Sequence, residues 1–101
     1  NTETEKIRRE ISKYRRRRFY QMNFAVYSKD GCPFCDRVKQ VLQLGEFNYV
    51  EYKLGQHFDR PAFYEEFGTG STFPQVVLNG VQLGGCQETV KYLREHNLIN
   101  G

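Results

Sequence analysis

The sequence has no tryptophan, one methionine, three prolines and three cysteines, and it contains no long run of apolar residues. A helix that spans a bilayer needs about 20 consecutive apolar residues, so a transmembrane helix is excluded and no membrane partner is expected. The charged start of the chain lacks the apolar core of a secretory signal, and we expect a cytoplasmic location. The odd number of cysteines argues against the disulfide framework of a small secreted protein.

Charge is distributed unevenly along the 101 residues. Residues 1–22 carry eight basic and three acidic side chains, a net charge of +5, whereas residues 23–101 carry seven basic and nine acidic ones, a net charge of −2. We therefore divide the chain into a basic N-terminal helical extension, residues 1–21, packed on a domain of residues 22–101. The extension is interpreted either as an arm for an acidic partner or as a solvated helix face. No aromatic stacking pattern accompanies it, so nucleic acid is not an expected partner.

The apolar periodicity predicts an alternation of helices and strands. The predicted elements are a helix over 2–19, a strand over 23–27, a helix over 32–44 that stops at Gly45, a strand over 48–54, a helix capped by Asp59 that ends at Phe67, a hairpin over 75–83 with an Asn79-Gly80 turn, and a helix over 88–96. A strand–helix–strand unit implies parallel pairing, and the hairpin adds antiparallel strands. We therefore expect an α/β fold in three layers, with a mixed four-stranded sheet flanked by helices and an extra N-terminal helix.

Two of the cysteines form the motif Cys32-Pro-Phe-Cys35. By spacing alone the pair can be a redox dithiol, half of a zinc site, or inert. A structural zinc site needs four ligands, commonly from a second such pair, and because the chain has no second pair we expect no metal. The motif directly follows a predicted strand and opens a helix, where free backbone N–H groups and the positive end of the helix dipole favour a thiolate.

These features predict a catalytic pair. Cys32 is the expected nucleophile of thiol–disulfide exchange, and Cys35, one turn into the helix, is expected to resolve the mixed disulfide formed at Cys32. Lys29, in the preceding loop, and Arg37, in the helix, would add positive charge that tunes the ionisation of Cys32. For Lys29 an ordinary loop lysine is the alternative interpretation, and for Arg37 a solvated helix face is the favoured one.

Three motifs together resemble the dithiol glutaredoxins of the thioredoxin superfamily. They are Tyr27-Ser-Lys-Asp-Gly-Cys-Pro-Phe-Cys35, Thr72-Phe-Pro-Gln75 and Gly84-Gly-Cys86, which are similar to the family's active-site loop, its Thr-Val-Pro segment and its Gly-Gly-Cys turn. Phe34 replaces the usual tyrosine and Phe73 the usual valine. The lack of tryptophan argues against thioredoxin itself, which typically has Trp-Cys-Gly-Pro-Cys. Cys35 stands where monothiol glutaredoxins carry serine, so the dithiol class is favoured.

The resemblance implies a thioredoxin-like fold and a glutathione-dependent thiol–disulfide oxidoreductase. It implies a cis-proline at Pro74, with the backbone of Phe73 paired to the cysteine of glutathione in a strand-like contact. The implied glutathione-binding residues are Lys29, Phe34, Thr72, Phe73, Pro74, Gly85, Cys86, Gln87 and Glu88. Family members often carry Asp or Ser after Gly-Gly-Cys, so Glu88 is expected to take over the contact with the γ-glutamyl amine. Cys86 is interpreted as a small packed residue, with a third redox group as the alternative.

The implied partners are glutathione, as a co-substrate, and proteins that carry disulfides or bound glutathione. Ribonucleotide reductase is a family expectation among them, and a monomer is expected. Two alternatives stay open: a reductant recycled by thioredoxin reductase, and an iron–sulfur carrier that uses Cys32 and glutathione across a dimer. The rigid Cys32-Pro33 start disfavours the iron–sulfur carrier.

Overall fold

The computed structural model describes residues 22–99 of the chain. The elements in chain order are β1 (Asn23–Ser28), α1 (Pro33–Leu44), β2 (Asn48–Lys53), α2 (Arg60–Phe67), β3 (Gln75–Leu78), β4 (Val81–Gly84) and α3 (Cys86–Glu95). Both the type and the order of these elements match the sequence-based prediction. The predicted helix over 2–19, and with it the extension of residues 1–21, lies outside the described residues. In the part of the chain described, no helix is long and apolar enough to cross a membrane.

The four strands form one mixed sheet in the order β2-β1-β3-β4. Strand β1 pairs in parallel with β2, with Phe24 opposite Tyr49. On its other side β1 pairs antiparallel with β3, with Phe24 opposite Leu78, and β3 pairs antiparallel with β4. The parallel pair and the hairpin predicted from the sequence are therefore both confirmed, and β1 is central in the sheet.

Helices cover both faces of the sheet and give the predicted three layers. Because side chains alternate along a strand, Phe24 and Val26 of β1 face one side, where they join the core formed with α1 and α3. Tyr27 faces the other side and contacts the rings of Phe58 and Phe67, so α2 covers that face. This is the thioredoxin-like arrangement expected from the resemblance.

Local signals fix most of the element ends. Asp59 caps α2, since its Oδ1 accepts a hydrogen bond of 2.9 Å from the backbone N–H of Ala62. Asn79 and Gly80 both have positive φ, 49° and 84°, as a type I′ turn requires. Helix α3 begins at Cys86, two residues before the predicted start, because Gly85 with its extended backbone is the N-cap.

Helix α1 ends at Leu44 and stops at Gly45, as predicted, but Gly45 does not have the left-handed backbone of a C′ glycine. Its φ is −80°, in the right-handed region, and the positive φ of 58° falls on Glu46. Glycine is required at position 45 by space, because a Cβ there would overlap the ring of Phe47. Phe47 is buried and packs edge-to-face on Phe24, with ring centroids 5.5 Å apart. The end of α1 lies so close to Phe47 in the core that only glycine fits at position 45.

Candidate active site

The N-terminus of α1 holds the dithiol. Cys32 is the N-cap residue, and its Sγ accepts a hydrogen bond of 3.2 Å from the backbone N–H of Cys35. Pro33 follows at the first helical position, where its missing N–H removes no helical hydrogen bond. An amide N–H directed at a sulfur stabilises negative charge on it. The local geometry therefore favours Cys32 over Cys35 as the thiolate.

Cys32 and Cys35 are joined by a disulfide, with their Cα atoms 5.2 Å apart. That separation lies within the ordinary range for a disulfide, roughly 4.4–6.8 Å. Cys32 is 6% exposed and Cys35 only 1%, so the first cysteine is the one nearer to solvent. The pair can interconvert between a disulfide and two thiols, which is a two-electron change. An incoming thiol reaches Cys32 more readily than Cys35.

Two loops and the start of α3 enclose a cleft beside the motif, which we call the thiol cleft. The Phe73–Pro74 peptide bond is cis, as the resemblance implied. The cleft has a volume of about 340 Å³ and is lined by Phe34, Thr72, Phe73, Pro74, Gln75, Gln82, Gly84, Gly85, Cys86, Gln87 and Glu88. Of the nine residues that the resemblance assigned to glutathione binding, all but Lys29 are in this lining. Segments some forty to fifty residues apart in sequence are thus brought together next to the dithiol.

Lys29 lies against the aromatic side of the same loop. Its Nζ is 5.4 Å from the centroid of the Phe73 ring, a cation–π distance. Phe73 in turn stacks on Phe63 with centroids 4.1 Å apart and planes 10° apart. Phe63 is 1% exposed and anchored in α2. The aromatic replacement at position 73 therefore connects the cis-proline loop to α2 and gives Lys29 a fixed surface beside the cleft.

The start of α3 presents unpaired backbone donors to the thiol cleft. Gly85 caps the helix without a side-chain hydrogen bond, and the first amides of any helix lack helical partners. Thr89 closes the turn below, with its Oγ1 2.8 Å from the Gly85 carbonyl. The Glu88 side chain folds back over this turn, since a Cβ on Gly85 would lie 3.2 Å from its Oε2. The thiol cleft thus has the first backbone N–H groups of α3 and the Glu88 carboxylate close together.

Sequence reasoning missed two glutamines of the thiol cleft. Gln75 is 7% exposed, and its Nε2 donates to the Thr72 carbonyl at 2.9 Å. Gln82 donates to Gln75 Oε1 at 3.0 Å. A buried glutamine in the apolar strand Gln-Val-Val-Leu is the signal that could have found the first of them, because buried polar groups need partners. Gln82 could not be identified in this way, because its contact with Gln75 depends on the register of the hairpin strands.

Cys86 lies close enough to Arg37 for the charge of Arg37 to act on its thiol. Cys86 is buried, and burial raises the pKa of its thiol; Glu88 adds to the rise, whereas Arg37 opposes it. Cys86 therefore stays a protonated, packed thiol at neutral pH. Arg37 lines a second groove between α1 and α3 together with Cys86. The tuning of Cys32 by Arg37 stays a prediction.

A polar network ties α1 to the two parallel strands one turn after the motif. Lys39 Nζ is 2.7 Å from Glu51 Oε2, and the buried Ser28 hydroxyl donates to the same oxygen at 2.6 Å. Burial raises the pKa of the Glu51 carboxyl, but hydrogen bonds from Lys39 and Ser28 outweigh it and the net pKa is lowered. The hydrogen bond to Glu51 raises the pKa of Lys39. The pair is ionised at neutral pH and fixes the helix that carries the dithiol.

Among residues 22–99 no cluster of three or more histidine, cysteine or acidic side chains is placed to hold a metal ion. A Cys-x-x-Cys disulfide at a helix N-terminus, next to a cis-proline loop on a thioredoxin-like sheet, defines a thiol–disulfide oxidoreductase.

Comparison with known proteins narrows this class to one family. The glutaredoxin family model matches residues 24–83, and the chain belongs to the glutaredoxin family. It is 34% identical over 77 residues to glutaredoxin-C6 of Oryza sativa subsp. japonica, covering 73% of this chain and 69% of that protein. It is 32% identical over 72 residues to the hybrid peroxiredoxin hyPrx5 of Haemophilus influenzae, covering 71% of this chain but only 30% of that longer protein.

The fold is also similar to that of solved glutaredoxin structures. The buckwheat glutaredoxin–glutathione complex matches with a TM-score of 0.65 and 27% identity, over 79% of this chain and 76% of that one. Both the fold class and the family expected from the sequence are thereby confirmed.

Proposed function

We propose that this protein is a glutathione-dependent oxidoreductase that reduces protein disulfides and protein–glutathione mixed disulfides. The observation that carries the proposal is the thiol cleft, in which a cis-proline loop and a helix N-terminus without a side-chain cap lie together with Phe34 of the Cys32–Cys35 motif. A tripeptide with carboxylates at both ends fits such a surface. The similarity to a glutaredoxin solved with glutathione supports it.

Each part of the cleft has a role in binding glutathione. The backbone of Phe73 would pair with the cysteine of glutathione as an added strand would. The backbone N–H groups of Gly85 and Cys86 would donate hydrogen bonds to the γ-glutamyl carboxylate, because helix N-termini bind anions. Glu88 would meet the γ-glutamyl ammonium, and Lys29 the glycine carboxylate. The charges of the cleft thus match those of the ligand.

The first reaction removes glutathione from a protein. The Cys32 thiolate attacks the glutathione sulfur of the mixed disulfide, a new S–S bond forms to Cys32, and the protein leaves as a thiolate that takes up a proton. A second glutathione thiolate then attacks the glutathione sulfur bound to Cys32. Oxidised glutathione leaves and the Cys32 thiolate is restored, so that the net exchange consumes one free glutathione thiol and releases one protein thiol.

The second reaction uses both cysteines. After Cys32 has attacked a protein disulfide, Cys35 attacks Cys32 in the mixed disulfide, which releases the reduced protein and leaves the Cys32–Cys35 bond. Two glutathiones reduce that bond. Glutaredoxins have potentials of roughly −200 to −230 mV against about −270 mV for thioredoxin, so that glutathione is a sufficient reductant for such a pair.

Substitution of the two cysteines tests the proposal. Cys32→Ser is expected to abolish both reactions, whereas Cys35→Ser spares removal of glutathione and loses reduction of protein disulfides. The measurement is NADPH consumption coupled through glutathione and glutathione reductase, with a glutathionylated peptide and a protein disulfide as substrates. Full activity of Cys32→Ser contradicts the proposed nucleophile. Recycling by thioredoxin reductase, with none by glutathione, contradicts glutathione dependence.

A further inference from the structure

A second depression, separate from the thiol cleft, runs between α1 and α3 and has a volume of about 640 Å³. We call it the helix groove. Arg37 and Val41 line it from α1, and Val90, Lys91 and Arg94 line it from α3. These residues recur three or four positions apart, so they form one ridge on each helix. The α3 ridge from 87 to 95 is about 12 Å long at 1.5 Å per residue, enough for a short segment of another chain.

The floor of the helix groove is apolar and its rims are basic. Val41 and Val90 are half-buried and pack against the core, and the buried Cys86 lies between the helices. On the rims, Lys91 Nζ lies 3.9 Å from Glu95 Oε1, and both side chains are exposed. Neither Arg37 nor Arg94 has an ion-pair partner within residues 22–99. An occupant that buries apolar side chains between carboxylates would complement this surface in both respects.

The helix groove opens towards the redox site. Cys86 and Gln87 line both the helix groove and the thiol cleft, so the two depressions share a border at the start of α3. A chain segment that lies in the helix groove therefore leads to the cleft in which a disulfide of that chain would be reduced. This continuity favours a protein substrate over an unrelated partner.

Charge argues against the protein's own N-terminal segment as the occupant. Residues 1–22 have a net charge of +5, and the rims of the helix groove carry three cations, Arg37, Lys91 and Arg94, against the single carboxylate of Glu95. Like charges brought together across an interface are unfavourable. The segment that fits is acidic.

We propose that the helix groove docks an acidic, apolar segment of the substrate protein that flanks its disulfide or glutathionylated cysteine. The inference rests on the proposed function for the identity of the partner, since it assigns a protein-binding surface to the same reaction. It predicts that substrate preference depends on Lys91 and Arg94, which lie outside the thiol cleft.

Two synthetic peptides test the proposal. Each carries a cysteine in mixed disulfide with glutathione, flanked on both sides by leucines alternating with glutamates in one peptide and with glutamines in the other. Lys91→Gln/Arg94→Gln is expected to lower kcat/KM about fivefold for the glutamate peptide, because exposed ion pairs each contribute modestly. The glutamine peptide and the mixed disulfide of glutathione with 2-mercaptoethanol should change less than about twofold, and raised salt should reduce the preference of the unaltered protein.

A matched variant controls for net charge. Val50→Glu/Val81→Glu makes the same change of two charge units at exposed positions, 51% and 64% exposed, outside the helix groove. It is expected to keep the preference for the glutamate peptide. An equal loss in this variant, an equal loss with both peptides, or no loss at all would overturn the proposal. So would a dimer that Lys91→Gln/Arg94→Gln dissociates, because the occupant would then be a second copy.

A binding measurement separates this inference from the proposed function. The fluorescently labelled glutamate peptide, with serine in place of its cysteine, needs no turnover to bind. Binding that weakens in Lys91→Gln/Arg94→Gln, together with no glutathione-dependent turnover of any substrate, would leave the docking surface standing and overturn the proposed function. Turnover of the small disulfide without charge-dependent peptide binding would leave the proposed function standing and overturn the docking surface.

Discussion

Replacement of Lys39 by methionine is expected to destabilise the protein by about 1.5–2 kcal/mol at neutral pH. The Lys39 Nζ lies 2.7 Å from Glu51 Oε2, and the two side chains are 22% and 24% exposed. Exposed ion pairs contribute about 0.2–1 kcal/mol, and removal of one partner from a fully buried pair costs about 3–5 kcal/mol. The cost for this partly buried pair should lie between these two values. After the substitution the Ser28 hydroxyl still donates a hydrogen bond to the Glu51 carboxylate, at 2.6 Å.

The effect should depend on pH in a defined direction. The pKa of Glu51 is lowered on folding, so its contribution is fully present above the ordinary value of about 4.3 and is lost as pH falls through the lower folded-state pKa. The pKa of Lys39 is raised, so its contribution is fully present below about 10.4 and is lost as pH rises through the folded-state pKa. The difference between the two proteins should therefore be largest from about pH 5 to about pH 9.

Urea unfolding of the oxidised protein measures this difference. Circular dichroism and tyrosine fluorescence are suitable probes, since the chain has seven tyrosines and no tryptophan. In a separate thermal unfolding experiment, a loss of this size should lower Tm by about 10 °C, at roughly 4–8 °C per kcal/mol for a domain of this length. Lys91→Met is the matched control, because its pairing with Glu95 is 3.9 Å long and exposed, and it should cost less than about 0.5 kcal/mol. Equal losses in the two variants, or a Lys39→Met loss that persists unchanged at pH 3, would show that the Lys39–Glu51 pair does not stabilise the fold.

Three further substitutions probe other parts of the structure. Gly45→Ala should destabilise by about 2 kcal/mol in urea unfolding, because the added methyl overlaps the buried Phe47 ring; unchanged stability would contradict that role of glycine. Asp59→Ala should cost about 1 kcal/mol through loss of the α2 cap, and a cost below about 0.3 kcal/mol would contradict it. Gly85→Ala places a methyl 3.2 Å from Glu88 Oε2 in the thiol cleft, so KM for glutathione should rise about fivefold with kcat little changed; an unchanged KM would show that glutathione does not contact this turn.

Local patterns in the sequence predicted most of the fold. The positive φ demanded by Asn79-Gly80, the cap at Asp59 and the apolar strand before Cys32 each depend on neighbours within a few residues, and the structure confirms all three elements. Gly45 shows the limit of local patterns, because the sequence predicts the helix end there but not why the residue must be glycine. That requirement comes from the packing of Phe47 on Phe24 of β1, a contact between residues far apart in the chain.

The candidate site also has parts that local motifs indicated and parts that only the packed structure shows. The dithiol was identified from its position at the start of a helix, and the thiol cleft from the resemblance of three short motifs. Gln75 and Gln82, by contrast, became visible only when the hairpin register placed them together. The helix groove was likewise absent from the sequence reasoning, because it exists only where α1 and α3 pack side by side.

Local sequence is enough to specify the redox pair, since Cys32 and Cys35 lie three residues apart at a helix N-terminus and backbone geometry over that distance is local. It also determined the order of helices and strands through apolar periodicity and caps. The packing of the layers adds what no motif carries: the contact between Gln75 and Gln82 in the thiol cleft, and the Lys39–Glu51–Ser28 network that holds the helix of the dithiol. These contacts depend on the strand register and on how the layers pack on the sheet.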